Sequence, residues 1–455
     1  MKKWLGLLSL IILISSCKKD DTVVDKIDES LLGGKTTVQV TGQNAFDFPL
    51  NNLDAEGIRK HAMGDQLFSQ QFITAPADEF GGLGPIYNQN SCISCHLRDG
   101  RGNIPTALGE NTGGLLMRLS IPGSGIHGEP LGAPGFGGQL QTRAIYGVEP
   151  EGQLDYQEMQ EIITFLDGSQ TSLTKPTYTV VNSYIPLPAQ TMFSARQAPP
   201  IIGLGLLEAI PEQDILVHQD IDDRDGDGIS GKANYVWDIA KSQTVLGRFG
   251  WKANSPNVRQ QAADAANHDM GLTSSLFPNE QCQGQSNCNQ GLQNVVDLND
   301  ENLSLLEFYF QTVAVPAARN TKTPEFQSGK KIFSKIGCGS CHTPSYTTGA
   351  HSIPALSNQK IFPYTDLLLH DMGEGLADHR PDYLANGSEW RTSPLWAIGM
   401  AQVVNPNARF LHDGRAKTIE EAILWHGGEA ENVKLNYTKL SKKERDDLLF
   451  FLKSL

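Results

Sequence analysis

Cys92-Ile-Ser-Cys95-His96 and Cys338-Gly-Ser-Cys341-His342 are the two stretches that decide how this chain is read. Each places two thiols three positions apart with a histidine directly after the second, the C-x-x-C-H spacing that attaches a c-type haem. The chemistry explains the spacing. Each thiol adds to one vinyl group, and the adjoining imidazole is held under the iron as its proximal ligand. Haem performs electron and peroxide chemistry that no side chain performs, which leaves the protein to position and tune it. A zinc knuckle or a redox dithiol also uses C-x-x-C. A shared zinc site would have to unite pairs far apart in the chain and would ignore both histidines. Two covalently bound c-type haems are therefore expected, on Cys92, Cys95 and His96 and on Cys338, Cys341 and His342.

The N-terminus is laid out for export. Lys2 and Lys3 precede an apolar run from Trp4 to Ile14, and Ser15-Ser16-Cys17 follows. The run is too short to remain as a membrane span. Leu13-Ile-Ser-Ser-Cys17 resembles a bacterial lipobox, in which the cysteine is lipidated and becomes the new N-terminus. An ordinary signal peptide cut near that point is the alternative. Residues 1–16 read as a lipoprotein signal peptide and residues 17–54 as a polar tether. The protein is expected to be exported and lipid-anchored to the bacterial cell envelope, at the outer membrane. The seven cysteines then divide without remainder: Cys17 for lipid, four for haem, and Cys282 with Cys288 in a Gly/Gln/Asn-rich loop. An oxidising compartment favours a disulfide between that last pair over two free thiols. A formal net charge of −14 argues against nucleic acid as a partner and mildly favours a basic or dipolar redox partner.

One plan recurs along the chain. Gly64-Asp-Gln-Leu-Phe-Ser69 precedes the first haem motif and Gly329-Lys-Lys-Ile-Phe-Ser334 the second, both in the manner of a helix leading into a cytochrome c site. Phe333 stands five residues before Cys338 and Phe68 stands 24 before Cys92, so the first copy carries an inserted loop. Each half closes on an apolar-periodic helix, Leu303 to Thr312 and Lys442 to Leu455. Pro316 and Pro324 bracket the junction. Residues 55–320 are read as a first cytochrome c-like haem domain with large insertions and residues 321–455 as a second. With 45 Gly and 24 Pro, residues 100–150 and 170–200 read as loops with short strands such as Thr177 to Val181. The fold class expected is mainly α, two cytochrome c-like haem domains wrapped by long Gly/Pro-rich loops.

Several longer blocks resemble the dihaem oxidoreductases grouped as putative peroxidases, relatives of bacterial dihaem cytochrome c peroxidase and of the dihaem enzyme that matures methylamine dehydrogenase. The resemblance covers roughly residues 55–455. It rests on Gly84 to Cys92, Gly138-Gln-Leu-Gln141, Arg196 to Pro211, Phe249-Gly-Trp-Lys252, Asp269-Met-Gly271, Trp390 to Trp396, and Phe410-Leu-His-Asp-Gly-Arg415 through Glu420 to His426. In the peroxidases a His-Asp-Gly turn and the helix after it lead to a methionine, the sixth ligand of the electron-transferring haem. The matching position here is His426, so the resemblance implies His342/His426 ligation of the second haem and, with imidazole in place of thioether, a lower potential. Met372 and Met400 are rival ligands. His412, in the turn, is expected to support this haem.

The first haem is then the reactive one. It needs an open or displaceable sixth position, an acid/base and a polar group to aid O–O cleavage. The peroxidases use a distal glutamate. Glu208 is the candidate here, with Arg196 beside it; Glu208 serving only as a helix cap or ion-pair partner is the alternative. Arg196-Gln-Ala-Pro199 echoes Arg391-Thr-Ser-Pro394, and such an arginine binds a propionate, faces the iron, or forms a surface salt bridge. His61, His127 and His268 are the histidines able to block the first haem. His370 recurs in a His-Asp-Met-Gly phrase with His268, without an assigned role.

Asp223-Arg-Asp225-Gly-Asp227-Gly-Ile-Ser resembles a calcium loop, with Asn234 where a glutamate usually closes it; a solvated acidic turn is the alternative. The function expected is a dihaem peroxidase-type oxidoreductase. Electrons enter from a small redox protein at the second haem and pass to the first, where hydrogen peroxide or a related oxidant is reduced. A substrate-oxidising dihaem enzyme and an electron-transfer cytochrome with two six-coordinate haems are the alternatives.

Overall fold

The computed structural model describes residues 28–77, 79–110, 113–282, 284–285 and 296–455. The export signal, Cys17 and Cys288 lie outside these residues, so the lipid and disulfide assignments do too. The helices are α1 (Ala55–Ser69), α2 (Cys92–Cys95), α3 (Leu204–Glu208), α4 (Glu212–Leu216), α5 (Val258–Met270), α6 (Asp300–Thr312), α7 (Pro324–Ile336), α8 (Ala401–Val404), α9 (Ile419–Trp425), α10 (Glu431–Thr438) and α11 (Lys442–Ser454). Their starts are written in the sequence. Asp54, Asn257, Asn299, Thr323, Thr418 and Ser441 each accept a first-turn N–H with the side chain, and Ser441 with Glu444 completes a capping box.

The repeated plan is visible as two helix pairs, α1 on α6 and α7 on α11. A glycine sets each crossing. A Cβ on Gly64 would lie 2.5 Å from the Leu305 carbonyl oxygen, and one on Gly329 would lie 2.1 Å from that of Asp447. Backbones this close admit only glycine. The phenylalanine four residues further on stands beside the motif histidine in each pair: Phe68 with its ring centre 6.5 Å from His96, Phe333 at 6.4 Å from His342.

The expectation of a mainly α protein is overturned. Helix makes up 29 % and strand 20 %, in many small sheets. β1 (Ile86–Tyr87) pairs with β4 (Arg143–Ala144); β2 (Leu115–Ser124) lies between β3 (Pro130–Leu131) and β7 (Met192–Gln197); β5 (Gln153–Thr164) and β6 (Gln170–Val181) form a long hairpin. Shorter pairs are β8 (Tyr235–Asp238) with β9 (Gln243–Leu246), β10 (Tyr346–Thr347) with β11 (Lys360–Ile361), and β12 (Leu369–Asp371) with β13 (Glu389–Arg391). Much of this strand lies where loops were read. The outer part of β5 is exposed on both faces, so it carries no apolar alternation to reveal it.

The tether reading also fails over its described part. Leu32, Ala45, Phe46 and Leu50 are buried in the main core. The segment runs along the junction between the halves, with Val38 N–H donating to Val315 O and Leu50 N–H to Thr312 O. Its composition is polar, but these few apolar side chains suffice to dock it. The main core draws residues from both halves, and a smaller one lies under β2. No helix among the described residues is long and apolar enough to cross a membrane.

Candidate functional site

Two cavities lie side by side, one at each C-x-x-C-H. The four motif thiols are not in disulfides. Burial raises them, Cys92 and Cys338 to about 12. A redox dithiol needs the opposite shift, so the dithiol reading has no support in this geometry.

The second cavity is lined by Cys338, Cys341, His342 and His426 together with Met372, His370 and His412. The His342 ring donates from Nδ1 to Tyr364 O at 2.9 Å, and the His426 ring from Nδ1 to Ala422 O at 2.7 Å. A carbonyl only accepts, so each Nδ1 carries the proton and each Nε2 keeps its lone pair. Burial holds both rings neutral, His342 down to about 4 with His426 adding to the effect. Helix α9 ends at His426 because Gly427 and Gly428 follow, which delivers the ring at the helix terminus. The rivals are weaker. Met400 is core and does not line the cavity, whereas Met372 does. Both nitrogens of His370 are taken, by Glu429 at 2.7 Å and Asp366 at 2.8 Å. His412 stacks on Trp390 with ring centres 3.6 Å apart.

The first cavity is lined by Cys95 and His96, with His96 Nδ1 donating to Pro199 O at 2.7 Å. Among the described residues no other histidine and no methionine lines it. His61 bonds Thr312 at 2.9 Å, His127 stacks on Trp237, and His268 pairs with Asp264 at 2.9 Å. None of the three blocks the site. Arg196 lines it, but its guanidinium is held by Asp382 at 3.0 Å, a buried ion pair and not a surface one.

Glu208 is not in this cavity. Leu204 and Leu207 of α3 line it, and Glu208, turned about 100° further round the helix, faces away. Its carboxylate accepts from Val258 N–H at 2.9 Å and from Gln311 Nε2 at 2.6 Å, with His351 at 3.6 Å. These partners hold its pKa below the ordinary glutamate range despite burial. It caps the start of α5.

The carboxylate that does line the first cavity is Asp269, at the end of α5, on one face with Gln261, Ala262 and Ala265. Burial raises its pKa above the ordinary aspartate value. Gln139 Nε2 donates to Asp269 Oδ1 at 2.8 Å, and the Asp269 carbonyl accepts from Asn88 N–H at 2.8 Å, just ahead of the first motif. Arg118 lines the same wall and pairs with Asp264 at 3.2 Å. The spacing 261, 262, 265, 269 is a helical stripe visible in the sequence, but it does not by itself show that Asp269 faces a haem site.

Arg101, Trp251, Arg391, Ser393 and Pro394 line both cavities. Arg101 and Arg391 have no carboxylate within ion-pair reach among the described residues, and burial pulls each down to about 10. A buried, unpaired guanidinium is strongly unfavourable. Haem would bring two propionates, anions of the complementary charge. Together with the thiols and the free Nε2 positions, the residues present fit a haem in each cavity. Trp251 closes the gap, its indole N–H donating to Gln197 O at 2.8 Å while Gln197 N–H donates to His412 O at 2.6 Å.

The expected calcium loop comes together in part. Asp220, Asp223 and Asp225 converge, while Asp227 accepts from Ile229 N–H at 2.8 Å and Asn234 is buried elsewhere, donating to Lys252 O. Asp223 accepts from Gly228 N–H at 3.0 Å, so the turn's own amides satisfy part of the cluster.

No curated protein and no solved structure matches this chain. The sequence profile of a family described as "Di-haem oxidoreductase, putative peroxidase" matches residues 26–455, nearly the whole chain and both cavities with it. The chain belongs to the di-haem oxidoreductase family.

Proposed function

We propose that this protein is an exported, lipid-anchored dihaem c-type oxidoreductase that reduces hydrogen peroxide at its first site. The observation that carries the reading is the inequality of the two cavities. One offers two imidazoles with free Nε2 positions, His342 and His426. The other offers one, His96, and a buried carboxylate, Asp269. Bound through Cys338/Cys341 and Cys92/Cys95, the haems would supply the electron-transfer and peroxide-reducing chemistry, with a small redox protein as the source of electrons.

The chain's own groups then divide the work. His342 and His426 would both hold the second haem, which would suit it to electron transfer and close it to reactant. His96 would hold the first haem without a second imidazole, which would leave that haem able to take peroxide. Asp269, in place of the expected Glu208, takes a proton from one peroxide oxygen and delivers it to the other, which leaves as water. Reduction of hydrogen peroxide to two waters needs two electrons and two protons in all. Burial keeps the protonated form of Asp269 available at higher pH than an exposed aspartate would allow. Gln261 and Arg118 add donors on the same wall. Arg101 and Arg391 hold propionates, and Trp251 fills the space between the sites.

The reading is tested by titrating the ferric protein with cyanide and following spin state. One haem per chain should bind cyanide readily and be the one at which peroxide is consumed. Two haems that both resist cyanide and peroxide would replace this reading with that of an electron carrier.

A further inference from the structure

The β5–β6 hairpin, residues 153–181, grows from the wall of the first site and ends on the helix that carries His426. Its twelve residue pairs run in unbroken register from Gln153↔Val181 to Thr164↔Gln170, and among the described residues no third strand joins them. A two-stranded ribbon of this kind is marginal in water by itself. At its root Leu154 and Tyr156 pack into the same cluster as Leu115, Met117 and Leu119 of β2, the strand whose Leu116 and Arg118 line the first cavity.

What holds the rest lies in the other half. Tyr178 donates through its hydroxyl to Asp413 O at 2.7 Å. Glu158 receives Arg409 at 3.1 Å, and its second oxygen pairs with Lys417. Arg409 also donates to the Tyr156 hydroxyl at 2.9 Å. At the tip, Arg445 donates to Asp167 at 2.8 Å and lies over the Phe165 ring at 3.9 Å, and Phe165 packs edge-on against Tyr437. Tyr437 in turn donates to Glu420 of α9 at 2.6 Å, and β6 packs along α9 itself.

These anchor points are not scattered. Arg409 and Lys417 bracket the turn that carries His412. Directly after it comes α9, whose Ile419, Ala422 and Ile423 line the second cavity and whose end presents His426. We propose that the hairpin is a strap that positions His426, with Glu158 as its central clamp, so that ligation at the second site depends on a segment rooted in the first. This rests on the reading of His426 as sixth ligand. The strap's residues touch no reacting atom; they act through α9.

The test measures how fast cyanide displaces the ligand at the second haem in the intact dihaem protein, together with that haem's low-spin signal. Three variants are compared with the wild type: Glu158→Ala, Glu158→Gln, and a shortened hairpin in which an Asn-Gly turn replaces residues 157–177. Loss of a partly exposed three-membered charge network is expected to speed displacement about fivefold in Glu158→Ala, with Glu158→Gln in between. The shortened hairpin should show a high-spin fraction at the second haem that added imidazole converts back to low-spin, with the first haem's signal unchanged. Wild-type displacement rates in Glu158→Ala would overturn the strap, even where the shortened chain fails to fold. His426→Ala separates the two ideas. An unaltered low-spin signal in that variant sinks the ligand assignment, whereas loss of that signal combined with indifferent hairpin variants sinks only the strap.

Discussion

Asp269→Asn is the substitution that most sharply separates chemistry from architecture at the first site. The change is isosteric. Asn keeps an acceptor for Gln139 Nε2, which now stands 2.8 Å from Asp269 Oδ1, and the backbone bonds to Asn88 and Gln89 do not involve the side chain. A charge-assisted bond becomes a neutral one, a loss of about 1 kcal/mol. Against that, burial already disfavours the ionised carboxylate and raises its pKa, so a neutral amide relieves part of the penalty. Folding stability should therefore move by ~1 kcal/mol or less. A positioned acid/base contributes about 10²–10⁴ in rate, roughly 3–5.5 kcal/mol on the barrier. Peroxide consumption with a reducing dye as donor should fall by that factor, while haem content, both optical spectra and the urea midpoint stay near wild type. If Asp269→Asn turns over at more than about a third of the wild-type rate, the carboxylate is not the proton carrier.

Three further outcomes follow from the same geometry. Glu208→Gln should leave peroxide turnover within about twofold, because that side chain faces away from the cavity, but should weaken folding by ~1–2 kcal/mol at neutral pH. Since the folded value is depressed, that stabilisation is present above the unfolded value near 4.5 and is lost as pH falls through the folded one; urea unfolding at pH 7 and pH 3 checks it. His426→Ala should abolish the low-spin signal of the second haem, and His426→Met should restore it at a higher potential by potentiometric titration. Asp99, buried beside Tyr309 at 2.8 Å, is raised from 3.8 to about 8 by burial. The folded state thus binds its proton more tightly, and stability falls as pH rises from about 4 to about 8. Asp99→Asn should gain stability over the wild type across that window and little below it, by thermal melts at pH 4 and pH 8.

The parts of the site legible in the sequence are those fixed by local spacing. C-x-x-C-H places thiols and imidazole without reference to the rest of the chain, and Gly64 and Gly329 mark helix crossings that the repeated phrase announces. His426 is legible only because a longer block brackets it. Glu208 illustrates the failure mode. It stands in a quoted block near Arg196, but nearness along a chain says nothing of which side of α3 faces a cavity, and Leu204 and Leu207 take that side. Asp269 shows the reverse, since its stripe along α5 is readable and its partners Gln139 and Arg118 come from β2 and the strand-rich insertion after the first motif. That insertion was itself opaque. A ribbon whose outer half is exposed on both faces, and which is held by Arg409, Lys417 and Arg445 from the far half of the sequence, leaves no periodic trace.

The most direct measurement is low-temperature EPR of the ferric protein before and after hydrogen peroxide. One low-spin signal of the two-imidazole type, unchanged by peroxide in the absence of donor electrons, and one high-spin signal that peroxide consumes are expected. Two low-spin signals, both indifferent to peroxide before and after one-electron reduction, would contradict the proposed function.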